Sequence, residues 1–180
     1  MVYEPNKNTL EWWDNLNNLN FDIVPAIGGI DAHALKIKKF FIPFTIFPYK
    51  TLFKTITNVL NFDKPLPEDF SLRKKEILNA IKSGNNLIVN RTIQNDLPEI
   101  FIEPEQKMIC GGKNYKLTKD LSIRVQNKHA SEIKVVYNGK EIYKKFSTAC
   151  NIKLEKAGKY RVEIKQRNRG FAYTNPIVVY

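Results

Sequence analysis

Histidine and cysteine are the scarcest reactive side chains in this 180-residue chain: His33 and His129, Cys110 and Cys150. The shortage of imidazole is the most restrictive feature of the composition. No CxxC or Cys/His zinc spacing occurs, which argues against a structural zinc site. Nothing in the cysteine spacing indicates a disulfide. Met1 to Lys7 lacks a basic region followed by an apolar stretch, so the thiols are expected to be reduced and a cytoplasmic location is favoured. Glycine is also sparse. Gly28-Gly29 and Gly111-Gly112 are isolated pairs, not a phosphate-cradling loop of the Walker or dinucleotide type. The most apolar run, Phe40 to Phe47, is far shorter than the roughly 20 residues needed to cross a bilayer, so no membrane partner is expected. What is present suffices for folding: 43% hydrophobic and 12% aromatic residues can supply a core. Twenty-nine Lys and Arg against 18 Asp and Glu give a basic protein of formal charge +11, which permits phosphate-rich partners.

Periodicity divides the chain near Asn95 to Pro98. Residues 1–95 alternate helix and strand signals. Leu10, Trp12, Trp13, Leu16 and Leu19 recur at helical spacing behind Asn8 or Thr9 as cap. Ile23-Val24-Pro25-Ala26-Ile27, closed by Gly28-Gly29, reads as a buried strand ending in a turn. A second extended segment is expected through Ile56 to Leu60. Ser71 can cap a helix bearing Ile77, Leu78 and Ile81, Gly84 suits its C-terminal turn, and Leu87-Ile88-Val89 is the next strand. Helices between short apolar strands suggest α/β material with a buried sheet. Residues 96–180 alternate instead with period two. Leu121, Ile123 and Val125 form one such run, Tyr160, Val162 and Ile164 another, and Ile177 to Val179 closes the chain. Ile133, Val135 and Tyr137 lead into Asn138-Gly139, the strongest hairpin signal present. Ala157-Gly158-Lys159-Tyr160 reads as a tyrosine corner. These features predict a β-sandwich of immunoglobulin type, and the whole chain an α+β two-part molecule.

One stretch carries candidate chemistry. Gly28-Gly29-Ile30-Asp31-Ala32-His33-Ala34 follows the first predicted strand, and Asp31 and His33, two positions apart, can reach one metal from an irregular loop. Oxygen and imidazole ligands suit Zn, Mn or Fe. Trp13-Asp14-Asn15-Leu16 with Val24 to His33 resembles the last metal-binding motif of the PHP (polymerase and histidinol phosphatase) metallohydrolases. Phe47-Pro48-Tyr49 and Ile77 to Gly84 are similar to the region after that motif. Ala157 to Glu163 and Asn175-Pro176-Ile177 look like the immunoglobulin-like domain appended to one PHP subgroup. The resemblance runs in collinear order over nearly the whole chain.

It implies that residues 1–95 are the C-terminal segment of a PHP-like α/β barrel and residues 96–180 an immunoglobulin-like β-sandwich. Asp31 and His33 would be metal ligands of a metal-dependent phosphoesterase. Ile30 departs from the Ser or Asn usual beside the metals, and the early H-x-H and further ligands of the family have no counterpart here. The chain alone is therefore expected to be inactive, with the rest of the barrel, or a second copy of itself, as its partner. One alternative is a non-catalytic immunoglobulin-like module serving interdomain or protein contacts; a weaker one is non-specific nucleic-acid binding, resting on the net charge and on Arg161, Lys165, Arg167 and Arg169 near Tyr160, Phe171 and Tyr173. Arg161 and Lys165 alternate with buried positions, as a solvated outer strand face requires.

Overall fold

A computed structural model of the chain describes residues 4–30, 32–39, 42–46 and 48–180. Three helices, α1 (Lys7–Leu19), α2 (Tyr49–Leu52) and α3 (Phe70–Lys82), accompany twelve strands. The first-half strands are β1 (Leu35–Lys39), β2 (Ile42–Ile46), β3 (Ile56–Leu60) and β4 (Asn86–Asn90). Then come β5 (Glu99–Glu103), β6 (Lys107–Met108), β7 (Asn114–Tyr115), β8 (Ser122–Tyr137), β9 (Lys140–Lys153), β10 (Gly158–Gln166), β11 (Arg169–Thr174) and β12 (Ile177–Val179). β1 and β2 form a separate hairpin, and the remaining strands build one ten-stranded sheet: seven follow the path β3-β4-β11-β10-β8-β5-β6, while β12 pairs with β10 and β7, and β9 with β8. The chain is thus mostly β, with a large, curled sheet that is antiparallel except where β12 meets β7.

Strand β8 organises the curl. Its first half pairs with β5 through Ile123 and Val125, and its second half pairs with β10 through Ile133 and Val135. β9 follows it along both halves, with a register shift between Gln126 and Ser131. Two runs that read as separate strands in the sequence are therefore one long strand that changes neighbour midway. Both leaves bury their alternate residues in one cluster, including Leu87, Val89, Ile100, Ile102, Ile123, Val162, Ile164 and Phe171. The Asn138-Gly139 turn takes positive φ at both residues, 46° and 79°, as the twist of a two-residue hairpin demands. The Tyr160 hydroxyl donates to the Lys156 carbonyl at 2.7 Å, anchoring the predicted corner.

The first half adds to this sheet. β3 and β4 lie in the expected places, but although α3 separates them they pair antiparallel, and β4 pairs antiparallel with β11. No parallel βαβ unit forms among the described residues, and the sheet runs across the boundary expected at 95–98. Helix α1 starts two or three residues earlier than expected: Asn6, not Asn8 or Thr9, is its N-cap and accepts from the Asn8 N–H. Asp69, not Ser71, caps α3 by accepting from Leu72 N–H at 2.8 Å, since a carboxylate is at least as good an N-cap as a hydroxyl.

Ile23 to Ile27 is not a strand. Pro25 removes a ladder donor, and the segment is bonded by side chains instead. Val24 N–H reaches Asn17 Oδ1 at 3.0 Å, and Val24 O accepts from Trp13 Nε1 at 2.7 Å. Ala26 N–H reaches Asn175 Oδ1 at 2.6 Å, while Ala26 O accepts from Asn175 and Asn86. The Asn58 amide bonds both the N–H and the C=O of Gly28 at 2.8 Å. Asn175 is fully buried and also binds the Asn86 backbone and side chain. Truncating it orphans several buried groups at about 1–3 kcal/mol each, partly offset by relaxation. Asn175→Ala should therefore cost roughly 2–4 kcal/mol, read as a lowered denaturant midpoint with unchanged slope.

Candidate functional site

The loop predicted to hold metal leaves the sheet at Gly28-Gly29. Gly28 is pressed against the sheet: a Cβ there would meet Ile88 at 2.6 Å and Ile56 at 2.7 Å. A side chain at Gly29 would meet nothing within 4 Å. His33 is exposed, and Asp31 lies outside the described residues. Among the described residues no three His, Cys, Asp or Glu side chains come together as a metal site. A catalytic ion ordinarily needs three protein ligands. The described residues therefore do not by themselves fit a Zn, Mn or Fe ion.

Beside that loop an apolar cleft of about 550 Å³ opens between α1, the 24–29 segment and the outer face of β3, β4 and β11. Its floor includes Ile56, Ile88 and Phe171, and Trp12 and Ile27 stand at its mouth, 63% and 64% exposed. The cleft was not legible in the sequence because its lining runs from Glu4 to Tyr173, segments at opposite ends of the chain.

The four basic residues singled out in the sequence do not form one surface. Arg161 is buried under α1, where it holds both carboxylate oxygens of Asp14 at 2.9 and 2.8 Å, bonds Glu163, and lies over the Trp13 ring. Burial opposes its charge, but Asp14 and Glu163 more than compensate and hold its pKa above the ordinary value. The solvated-face reading of β10 is thus corrected: α1 covers the face that Arg161 and Glu163 occupy. Lys165, partly exposed, pairs with Glu4 at 2.7 Å. Arg167 and Arg169 sit at the β10–β11 turn, where Arg167 has φ 51°. Next to Arg161, Lys159 points its ammonium at the C-terminal end of α1 and donates to the carbonyls of Asn17, Asn20 and Asp22 at 2.6, 2.7 and 3.0 Å. A cation at that end also complements the helix dipole.

The thiols are not activated nucleophiles. Both cysteines are free. Burial pushes Cys110 up to about 11, and it raises Cys150 too. Burial likewise lifts the Tyr115 phenol to about 12. The folded chain matches no family model, and no curated protein or solved structure matches it.

Two outcomes follow from these environments. Arg161→Ala leaves Asp14 without its counter-ion and Glu163 with Lys134 at 3.4 Å, and should cost about 3–5 kcal/mol in chemical denaturation, whereas Arg167→Ala should stay within about 0.5 kcal/mol of the parent. Cys110 and Tyr115 are held neutral in the fold but ionise earlier when unfolded. Stability should therefore be full below pH 9.0 and fall as pH rises through the folded values near 11 and 12, by roughly 3 kcal/mol per group at most. A pH series of thermal midpoints measures it.

Proposed function

We propose that this chain is the non-catalytic C-terminal part of a PHP-like metal-dependent phosphoesterase, ending in an immunoglobulin-like β-sandwich, and that it contributes the Gly28 to His33 loop to a metal site completed by another polypeptide. The observation that supports this reading best is the mount of the loop. Val24, Ala26 and Gly28 are each bonded through N–H and C=O to side chains of α1, the sheet and the β11–β12 connection. A site needs its ligands held to within a fraction of an ångström, and a backbone fixed at every second residue supplies that stiffness without a strand. The loop with Asp31 and His33 starts where the mount ends.

Two donors are too few to retain an ion tightly or both to position a water and to neutralise a leaving oxygen. This chain's share would be one carboxylate and one imidazole.

The proposal is tested on the isolated chain. After dialysis against a chelator and re-exposure to zinc or manganese, it should hold well under one tightly bound ion per chain, and generic phosphomonoesters should turn over at the rate of buffer. A stoichiometric ion lost in His33→Ala would mean that the chain carries a complete site. Coding sequence upstream of Met1 containing an H-x-H stretch is the expected source of the other ligands.

A further inference from the structure

Helix α3 carries three of its apolar side chains in solvent, while Ile77 and Ile81 are half-buried. Phe70 is 70% exposed, Leu72 55% and Leu78 43%, and within the helix only Ala80 is buried. Positions 70, 74, 77, 78 and 81 fall on one face at helical spacing, and Phe70, Arg73, Lys74, Ile77 and Leu78 line a shallow depression there. The helix sequence holds four cations, Arg73, Lys74, Lys75 and Lys82, against the single acid Glu76, which lies on a different side of the helix from Phe70 and Leu78 by the same spacing. Arg73 donates to the Glu68 carbonyl. Lys74, Lys75 and Lys82 make no ion pair among the described residues. At the C-terminal end, Lys82 and Ser83 share a second depression with Phe21, 97% exposed, and Tyr180. Aromatic, aliphatic and cationic groups therefore alternate along the helix and past its end.

We propose that α3 docks in the plane of an anionic lipid surface, with Phe70, Leu78 and their neighbours entering the headgroup–acyl boundary and the lysines meeting lipid phosphates and carboxylates. Charge complementarity selects this occupant: the helix and the whole chain are basic, and unpaired lysines near an anionic leaflet attract it. The exposed apolar residues favour lipid over nucleic acid, because a phosphate backbone gains nothing from Phe70 or Leu78 while an acyl boundary buries them. Lysine stems suit this position, since they lie along apolar surface with the ammonium in the polar layer. Among the described residues no helix is long and apolar enough to cross a membrane, so the association is peripheral; the expectation of no membrane partner rests on span length, which does not bear on surface docking. It is independent of the metal-loop reading.

Co-sedimentation of the full chain with vesicles of phosphatidylcholine alone, or mixed with phosphatidylserine, tests it at physiological salt. The chain should partition onto the serine-containing vesicles and not onto the neutral ones. The triple variant Lys74→Gln, Lys75→Gln, Lys82→Gln should lose about a hundredfold in affinity, close to fivefold per cation. Phe70→Ser with Leu78→Ser should lose more than about tenfold, and because both side chains are exposed its circular dichroism should match the parent. Equal partition onto neutral vesicles, or no partition onto either, overturns the proposal. So does an apolar double variant that binds as the parent does, which would reduce the effect to diffuse charge. Tight binding of a DNA duplex with no vesicle binding overturns it in favour of nucleic acid.

Discussion

The Asn175 side chain is the joint on which the arrangement of the two halves depends. Its amide binds Ala26 from one direction and Asn86 from the other, while its backbone N–H reaches Cys110 O at 3.2 Å. The 24–28 segment, strand β4, the 110–112 turn and the β11–β12 connection therefore meet at one buried residue. Gly111 shows how closely: a Cβ there would come within 2.5 Å of the Asn175 carbonyl oxygen. Buried amides are worth little net energy when fully bonded and cost much when one partner is missing. Such a network contributes less to overall stability than to selecting one geometry, because any displaced arrangement leaves groups unsatisfied.

The same logic governs the docking of α1. Its buried contact with the sheet is Asp14 on Arg161, Arg161 on Glu163, and Lys159 on three carbonyls. A buried ionic cluster gives back in Coulomb energy roughly what it loses in desolvation, and removal of one member is what hurts. Lys134 extends the cluster, since it reaches both Glu163 and Glu141 at 3.4 Å. The apolar side of the sheet behaves differently. Its core is continuous from Leu87 to Val179 and draws on ordinary burial. The sheet thus has one face that drives folding and one that fixes where α1 and the 24–28 segment sit.

That division explains what could be read from the residues alone. Features decided within a few positions were legible: the Asn138-Gly139 turn, the Tyr160 corner, and strands β3 and β4. Features decided by distant partners were not. Ile23 to Ile27 has the composition of a buried strand, but its bonding partner Asn175 is 149 positions away. Arg161 alternates with Val162 as an exposed residue would, and only Asp14, 147 positions earlier, shows that the face is covered. β8 read as two strands because its pattern breaks between Gln126 and Ser131, where the ladder shifts register. Asp31 and His33 were legible as a candidate pair from the loop and its resemblance, and only His33 falls among the described residues.

The polar mounts also account for the cleft. α1 is tied over β10 by Arg161 and Lys159, and the 24–28 segment is tied over β3 and β4 by Asn58, Asn86 and Asn175. Both anchors are fixed by hydrogen-bond lengths, so neither element can slide inward to cover Ile56 and Ile88 between them. An apolar cover would have collapsed onto those residues, since close packing rewards each added contact. A hydrogen-bonded cover stops at the distance its amides allow. The opening beside Gly28-Gly29, with Trp12 and Ile27 exposed at its mouth, is therefore a consequence of holding the 24–28 segment by its hydrogen bonds.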